Sequence, residues 1–403
     1  MTTTSIFILI NYAVIHLVVI LLVDWALRSS FKRGKIYKYL RWLWIIVYIL
    51  LAAVPAAATF LPEEKGSLIF ERYGNMIVAY EIYICGIFLI LSLIIALKHL
   101  FSGKKKKKGK LGKINVSRPY VVALIVSIVL GAAATSYGLY HAQQPVSKEL
   151  TANVRGKDGG QDKEIRIVLI ADLHLSVNSH VQTTRKMVQL INEAEPDAVL
   201  LAGDIFTSSY RALRSPSEYA KTLRKIKAPV YAVYGNHDVE EKLFSGFAVR
   251  PVSEAFRPET MEQFYQASGF TMLADDIIEI ADGDIQLAGR IDGSKAGDGT
   301  NNRKSAGELL AKADQTRPLL VLQHEPEEYE ELAEAGADMV LSGHTHGGQI
   351  FPGNLYVKLA CDNGYGQKKI YGMETFVTYG TGTFGPPMRT ATNSEVMVID
   401  LKY

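Results

Sequence analysis

The chain has few residues that bind metals or form cross-links through sulfur. Among 403 residues there are only two cysteines, Cys85 and Cys361, and they lie far apart in the sequence. A zinc site built from several thiolates is therefore excluded, and we expect no disulfide between the two. The histidines are also few, nine in all, yet six of them follow apolar runs in the later part of the chain.

Acidic residues are scarce in the first part of the sequence. Residues 1–144 hold 17 Lys+Arg and 5 Asp+Glu, whereas residues 145–403 hold 27 and 36. This split predicts two parts with different surroundings, which we place at residues 1–143 and 144–403. The acidic second part argues against a nucleic-acid partner, because a phosphate backbone requires a basic face.

Long apolar runs are confined to the first part and predict a transmembrane domain of four helices. The four runs are residues 5–23, 42–61, 73–97 and 119–140. Each approaches or exceeds the ~20 residues that a helix needs to cross a bilayer. The start "MTTTS" has no positive charge, so we do not expect a cleaved signal peptide. His16 and Glu81 fall inside these runs, and both a functional and a packing role are open for them.

The loops between the runs predict the orientation of the chain. Residues 24–41 carry six Lys/Arg and residues 98–118 carry nine, including "KKKKKGK", whereas residues 62–72 carry two. Loops rich in Lys and Arg stay in the cytoplasm. We therefore expect a multi-pass protein of the cell membrane, with the bilayer as its partner and residues 144–403 on the extracytoplasmic side.

The second part alternates apolar runs with helical patterns. Buried strands are predicted for residues 165–170, 198–202, 230–234, 319–323 and 338–342. Helical stretches lie at 181–194, 216–227 and 327–335. This alternation predicts an α/β domain with a largely parallel central sheet, whose functional sites collect at the carboxyl ends of the strands.

Each of the five predicted strands is followed by Asp, His or Asn. The side chains that could bind metal are Asp172, His174, Asp204, Asn236, His324, His344 and His346, with His237 beside them. Imidazole, carboxylate and amide ligands suit Mn, Fe or Zn. Seven ligands are too many for one ion, and two divalent ions that share a carboxylate fit the number.

Spacing supports the same hypothesis. Residues two apart on an extended backbone project to the same side, so Asp172 and His174 can bind one ion and His344 and His346 can contact two. The glycines that precede three of the ligand positions would let the backbone turn sharply under the ions.

The motifs D-x-H, G-D, G-N-H-D, a single His and G-H-T-H occur in this order. Together they resemble the calcineurin-like metallophosphoesterase family over about residues 160–403. The stretches "GHTHGGQ" and "YGTGTFGPPMR" are similar to its membrane-associated branch. The resemblance implies a two-layer β-sandwich flanked by helices, with mixed sheets in place of a single parallel one.

The resemblance also implies the role of each residue. It implies one metal ion on Asp172, His174 and His346, a second on Asn236, His324 and His344, and Asp204 between them. His237 would be the catalytic histidine. Two close cations lower the pKa of a shared water and so supply hydroxide, and His237 is the candidate general acid for the leaving group. The sequence does not indicate what orients His237.

Two arginines and one loop leave alternatives open. Arg290, in "AGRIDGS" where the family branch often has G-x-D-D, and Arg389 would either clamp a substrate phosphate or form structural salt bridges. The apolar loop 239–258 is either a local packing cluster or a rim that admits a lipid-linked substrate. A hairpin predicted around Gly159 and Gly160 would shorten the tether to the bilayer.

These features predict a membrane-anchored phosphoesterase with a two-metal centre that hydrolyses a phosphate ester. The sequence leaves the substrate open between a phospholipid, a lipid-linked sugar phosphate and a soluble nucleotide, and we favour a lipid or lipid-linked molecule. The alternative is a non-catalytic metal-binding scaffold or membrane sensor that retains the fold. No internal repeat is visible, which argues against a transporter.

Overall fold

A computed structural model describes most of the chain. The described residues are 3–30, 34–60, 65–101, 117–154, 163–241, 243–244, 247–248, 256–297 and 302–403. The chain divides into two compact units. The first comprises residues 1–137 and 244–249, and the second comprises residues 138–243 and 250–403. The domain boundary predicted at 143/144 stays a prediction.

Four helices make up most of the first unit. They are α1 (Thr3–Ser30), α2 (Lys35–Phe60), α3 (Lys65–Phe101) and α4 (Ser117–His141), the last turn of α4 belonging to the second unit. Within the described residues, three helical segments are long and apolar enough to cross a membrane: Lys35–Pro55, Ile69–Lys98 and Pro119–His141. In α1 the apolar stretch Tyr12–Trp25 is shorter. Three of the four predicted spans are thus confirmed by length and composition, and most of the basic loop 98–118 lies outside the described residues.

The two ionisable side chains inside these helices have partners within the first unit. His16 Nδ1 lies 2.9 Å from the Tyr48 hydroxyl, and His16 Nε2 lies 3.8 Å from Glu81 Oε2. These contacts agree with the packing alternative for both residues.

The second unit contains a first six-stranded sheet. In spatial order its strands are β1 (Val146–Asn153), β14 (Glu395–Lys402), β2 (Glu164–Ile170), β3 (Ala198–Ala202), β4 (Val230–Val233) and β7 (Phe270–Met272). All neighbours are parallel except β14 and β2. The predicted hairpin around Gly159 and Gly160 is wrong, because the C-terminal strand β14 lies between β1 and β2.

A second six-stranded sheet is also mixed. Its strands are β12 (Gly366–Ile370), β13 (Met373–Val377), β11 (Met339–Ser342), β10 (Leu319–Leu322), β9 (Ile285–Gly289) and β8 (Asp276–Ile280). Both edge strands pair antiparallel and the four central strands pair parallel. The single largely parallel sheet predicted from strand–helix alternation is therefore only partly right. The short strands β5 (Leu243–Phe244) and β6 (Phe247–Ala248) pair with each other.

The two sheets share one core, and helices cover their outer faces. The helices that do so are α5 (Val181–Glu193), α6 (Pro216–Leu223), α7 (Glu259–Ser268), α8 (Ala306–Leu310) and α9 (Tyr329–Glu334). Helix α10 (Gly353–Ala360) has no buried residue. In β2, Ile167 and Leu169 pack between the sheets, and Val168 and Ile170 pack towards the helices. Both faces of the strand are buried, which explains its unbroken apolar run. Each such side chain contributes about 1.5–3 kcal/mol on burial.

One edge of the two sheets positions the functional residues. The parallel strands β2, β3, β4, β10 and β11 all end there, as predicted. Because β14 is antiparallel to β2, its first residue also lies at this edge, and so does the start of its parallel partner β1. Helix α4 ends at His141, five positions before β1 begins at Val146.

Candidate metal centre

The side chains that follow the five central strands converge in the folded chain. Two groups of three residues each have donor atoms that lie within 4.8 Å of one another. The first group is Asp172, His174 and His346, and the second is Asp172, Asp204 and His324. All five residues are buried. Since they come from four different strand ends, tertiary structure assembles the group from residues that are distant in sequence.

In the first group, the two imidazoles and the Asp172 carboxylate face each other at short distances. His174 Nε2 lies 3.0 Å from His346 Nε2, and Asp172 Oδ1 lies 3.3 Å from His346 Nε2. Asp172 is fully buried, yet its Oδ1 has no hydrogen-bond partner. A buried oxygen without a partner requires an explanation, and a bound cation provides one.

Asn236 and His344 lie next to His324 of the second group. His324 Nε2, His344 Nδ1 and Asn236 Oδ1 are mutually 3.1–3.2 Å apart. Asp204 Oδ2 is 3.1 Å from His324 Nε2 and 3.5 Å from His174 Nε2. This carboxylate oxygen therefore lies between the two groups, at the position that the resemblance implies for a bridging ligand.

The backbone at these positions is strained. Five of the ligand candidates have a positive φ: Asp172 at 54°, His174 at 44°, Asp204 at 52°, His344 at 70° and His346 at 48°. The left-handed region costs a residue other than glycine of order 1–3 kcal/mol, and such residues cluster at functional sites. The strain supports a functional role for this edge of the sheets.

Glycines next to the ligands provide space as well as turns. Gly203 has a φ of 77° and supplies the sharp turn predicted before Asp204. Gly235 and Gly343 act differently. A Cβ on Gly235 would collide with the Asp204 carboxylate, and a Cβ on Gly343 would lie 2.5 Å from Asp172 Oδ2. For these two glycines, the close approach of a carboxylate is the reason that a side chain is excluded.

Backbone groups hold the candidate ligands in orientation. His324 Nδ1 donates to the Ala202 carbonyl at 2.8 Å, which leaves Nε2 free for a metal. Asp172 Oδ2 accepts the His344 N–H at 3.0 Å, and Asp204 Oδ1 accepts the His237 N–H at 2.8 Å. Each carboxylate thus accepts a backbone hydrogen bond through one oxygen, and its other oxygen faces the group of donor atoms.

Burial keeps two of the imidazoles neutral and disfavours the charged form of the Asp172 carboxylate. It lowers the pKa of His174 to about 3 and that of His344 to about 4, so both rings are neutral. Burial raises the pKa of Asp172 to about 7, because an isolated carboxylate is costly to keep charged there. Neutral imidazoles and a carboxylate that lacks a cationic partner fit a divalent metal ion.

His237 lies in the pocket beside the donor groups. This pocket of about 380 Å³ is also lined by His174, His344, His346 and Phe384. The His237 and Phe384 rings are 4.4 Å apart between centroids. The candidate catalytic histidine therefore shares its pocket with residues of both groups.

Glu241 orients His237, and the sequence analysis missed it. His237 Nδ1 donates to Glu241 Oε1 at 2.9 Å. Lys295 Nζ donates to both Glu241 oxygens, at 2.8 and 2.7 Å, and both side chains are at most 10% exposed. The spacing of four residues between His237 and Glu241 was a signal in the sequence, but the segment is a turn and not a regular helix.

Asp238 has a structural role in the same turn. Its Oδ1 accepts the Phe206 N–H at 2.9 Å and the Tyr265 hydroxyl at 3.2 Å, and its Oδ2 accepts the Gly235 N–H at 2.8 Å. Asp238 therefore fixes the loop and does not contact the His237 ring.

Arg290 and Arg389 both hydrogen-bond to other residues of the chain. Arg290 is fully buried, donates to Gln323 and Glu328, and lines a different cleft of about 870 Å³. Arg389 is also fully buried and donates to the carbonyls of Tyr379 and of nearby glycines. These contacts agree with structural roles, and substrate binding by either arginine stays a prediction. Half of the 239–258 loop lies outside the described residues.

An α/β domain with two mixed sheets and a group of potential metal ligands at one edge is a framework for metal-dependent chemistry. Residues 165–348 match the family model of the calcineurin-like phosphoesterases. This part of the chain thus carries the domain described by the model of that metal-dependent family, as the motifs indicated. The predicted strand ends from Asp172 to His346 fall inside the matched range.

Relatives with the same domain come from bacteria and animals. The chain is 30% identical over 244 residues to an uncharacterised metallophosphoesterase of Helicobacter pylori strain J99, covering 60% of each chain. It is 28% identical over 307 residues to a transmembrane protein with metallophosphoesterase domain of Danio rerio, covering 71% of this chain and 63% of the relative. A Bos taurus protein of the same description is 25% identical over 350 residues, covering 85% of this chain and 76% of the relative. The chain thus spans about three fifths of the length of the first two relatives.

Proposed function

We propose that the protein is a membrane-anchored phosphoesterase that depends on two divalent metal ions, Mn, Fe or Zn. One observation carries the proposal. Two groups of donor atoms lie on either side of Asp204 Oδ2, at 3.1 Å from His324 Nε2 and 3.5 Å from His174 Nε2. A carboxylate oxygen placed between two sets of imidazoles suits a centre with two cations.

Different residues of the chain would carry out different parts of the reaction. When bound, the cations supply an acidified water and neutralise charge on the phosphoryl oxygens. His237 would donate a proton to the leaving oxygen through Nε2, since Nδ1 is hydrogen-bonded to Glu241. Lys295 holds the Glu241 carboxylate from the other side. Phe384 lies against the His237 ring and limits its rotation.

Four membrane spans with both ends of the chain outside the cytoplasm form the topological part of the proposal. The three long apolar helical segments and the alternation of basic loops support it. Cys361 would then react with a membrane-impermeant thiol reagent on intact cells, whereas Cys85 within α3 would not. Labelling of Cys361 only after the membrane has been opened would contradict the orientation.

For the substrate, we propose a phosphate ester of a lipid or lipid-linked molecule at the outer face of the bilayer. Four spans exceed what anchoring requires, since one transmembrane helix already anchors a protein almost irreversibly. Residues 244–249 of the apolar loop belong to the same compact unit as the apolar helices. A substrate that arrives from the lipid phase would make use of both features.

The activity is tested with full-length protein in detergent, on an aryl phosphate diester and monoester, with and without Mn. We expect activity that depends on added metal. His237→Ala should lower turnover about 10²–10⁴-fold, the usual effect of losing a general acid, with the metal content unchanged. Absence of hydrolysis by metal-loaded wild-type protein on either ester and on lipid phosphates would favour the scaffold alternative. Full activity of His237→Ala on an ester with a poor leaving group would contradict the general-acid role.

A further inference from the structure

Helix α10 and Phe351, two residues before it, expose an apolar surface. None of the residues of α10 is buried. Phe351 is 52% exposed, Leu355 51%, Tyr356 74% and Leu359 88%. Leu355 and Leu359 are four residues apart and lie on one side of the helix. Together with the exposed Tyr356 and Phe351 they form an apolar surface, which we call the α10 face.

The α10 face lies beside the end of an apolar helix. The Phe351 N–H donates to Thr390 Oγ1 at 3.1 Å, and the next residue back, Arg389, donates its N–H to the Gly138 carbonyl at 3.1 Å. A Cβ on Gly138 would lie 2.7 Å from Thr390 Cγ2. Gly138 is in the last turn of α4, whose segment Pro119–His141 is apolar enough to cross a membrane.

The same stretch of chain reaches the candidate metal centre. Gly348, Gln349 and Ile350 line the pocket that contains His237, and α10 begins three residues after Ile350. The Gln349 side chain is held by the Phe384 and Pro386 carbonyls at 3.0 and 3.1 Å. The α10 face is therefore continuous with the rim of the pocket.

We propose that the α10 face lies in the polar–apolar boundary of the bilayer that α4 crosses. A short amphipathic helix buries such a face among headgroups and acyl chains, and tyrosine is favoured at that depth. The exposed Lys358 is available for anionic headgroups. The position beside the end of α4 makes the membrane the nearest apolar phase. The proposal rests on the membrane crossing by α4 proposed above.

This placement defines how a substrate would enter. A pocket whose rim continues into a membrane-bound helix opens at the level of lipid headgroups. The phosphate of a headgroup could then reach His237 while its acyl chains stay in the bilayer. The α10 face thus deepens the proposed lipid specificity and assigns it to residues 351–359 in addition to the 239–258 loop.

Spin labels on the full-length protein in lipid nanodiscs test the proposal. With Cys85→Ala and Cys361→Ser as background, a nitroxide is attached to Leu359→Cys or, as control, to Asp282→Cys. Asp282 is exposed and precedes β9, at the opposite edge of the sheets. We expect the label at 359 to collide with dissolved oxygen and to be protected from a water-soluble nickel chelate, and the label at 282 to show the reverse. The same protection is expected at Tyr356→Cys, so one poorly folded variant would not decide the result.

Other results would overturn the proposal. Equal nickel access at 359 and 282 would mean that the face is in water. Dipolar broadening between labels at 359 would mean that a second copy covers it. Release of the wild-type protein from membranes by alkaline carbonate would contradict the anchoring itself, which is a separate failure.

Activity provides a second test. Changing Leu355 and Leu359 together to Ser should raise KM about tenfold or more for a lipid phosphate in vesicles, because apolar transfer to the bilayer is lost. Hydrolysis of a soluble aryl phosphate should stay unchanged. An equal loss on both substrates would mean that α10 only supports the fold, and no loss on either would refute the docking role.

Discussion

Replacing Glu241 tests whether its carboxylate positions His237. Glu241→Ala removes one hydrogen bond of 2.9 Å to His237 Nδ1 and the two that Lys295 makes. A hydrogen bond to a charged group contributes about 1.5–3 kcal/mol, and about 1.4 kcal/mol corresponds to a tenfold rate change. We therefore expect kcat to fall about 10–100-fold. The effect cannot exceed that of His237→Ala if Glu241 acts only through His237.

The assay uses aryl phosphates with good and poor leaving groups. Protonation matters most when the leaving group is poor, so the loss in kcat should be concentrated there. KM and metal content should stay near the wild-type values. Glu241→Gln keeps an oxygen that can accept from Nδ1, and it should recover part of the rate. Glu240→Gln is a matched control: the Glu240 carboxylate accepts a hydrogen bond from Ser209 Oγ, and no change in kcat is expected.

A double variant separates positioning from structural support. If Glu241 acts through His237, the loss in the Glu241→Ala/His237→Ala variant should equal that of His237→Ala alone. Additive losses would refute the reasoning, and so would an equal loss on good and poor leaving groups. Because Glu241→Ala leaves Lys295 buried without its partner, Lys295→Met is added to that variant to remove the unpaired charge.

Three further changes test the metal centre and its support. Asp204→Asn should lower the bound metal by at least half, measured by atomic emission, because it removes the charge shared by both donor groups; wild-type metal content would contradict a bridging role. Arg389→Lys should lower kcat about tenfold and reduce thermal stability, since an ammonium cannot replace the planar donor fork; an unchanged rate and melting temperature would contradict this. Gly138→Val should destabilise the protein by about 1–3 kcal/mol through its clash with Thr390, seen as a lower Tm. Gly307→Ala, where an added Cβ meets nothing within 4 Å, is the control and should not lower Tm.

Local patterns in the sequence predicted the central strands and the polar residues after them. Strand β2 could be predicted because both of its faces are buried, which makes its residues an unbroken apolar run. Asp172 and His174 follow this strand directly. Ligand candidates at strand ends are predictable because parallel strands bring their carboxyl ends to one edge. The bridging position of Asp204 was implied by the family resemblance. The alternation expected for an extended backbone does not describe Asp172 and His174, because both have a positive φ.

Pairing between distant segments could not be predicted in the same way. Strand β14 lies between β1 and β2, and nothing in the local pattern of residues 146–170 indicates that the C-terminal strand will separate them. The position of Glu241 depends on a turn with no regular period. Helix α10 is short, and its apolar face is visible only once the structure shows which residues remain exposed.

Arg389 shows why the late "GPPMR" stretch belongs with the metal centre. Its Nη2 lies 3.2 Å from His346 Nδ1 and donates to the Tyr379 and Gly382 carbonyls at 2.7 and 2.6 Å. Its backbone N–H donates to Gly138 in α4. Burial lowers the pKa of Arg389 to about 10, so the guanidinium stays charged at neutral pH and keeps its donors. One residue thus links the end of an apolar helix to a candidate metal ligand, and a planar group with five donors makes that link where a lysine could not.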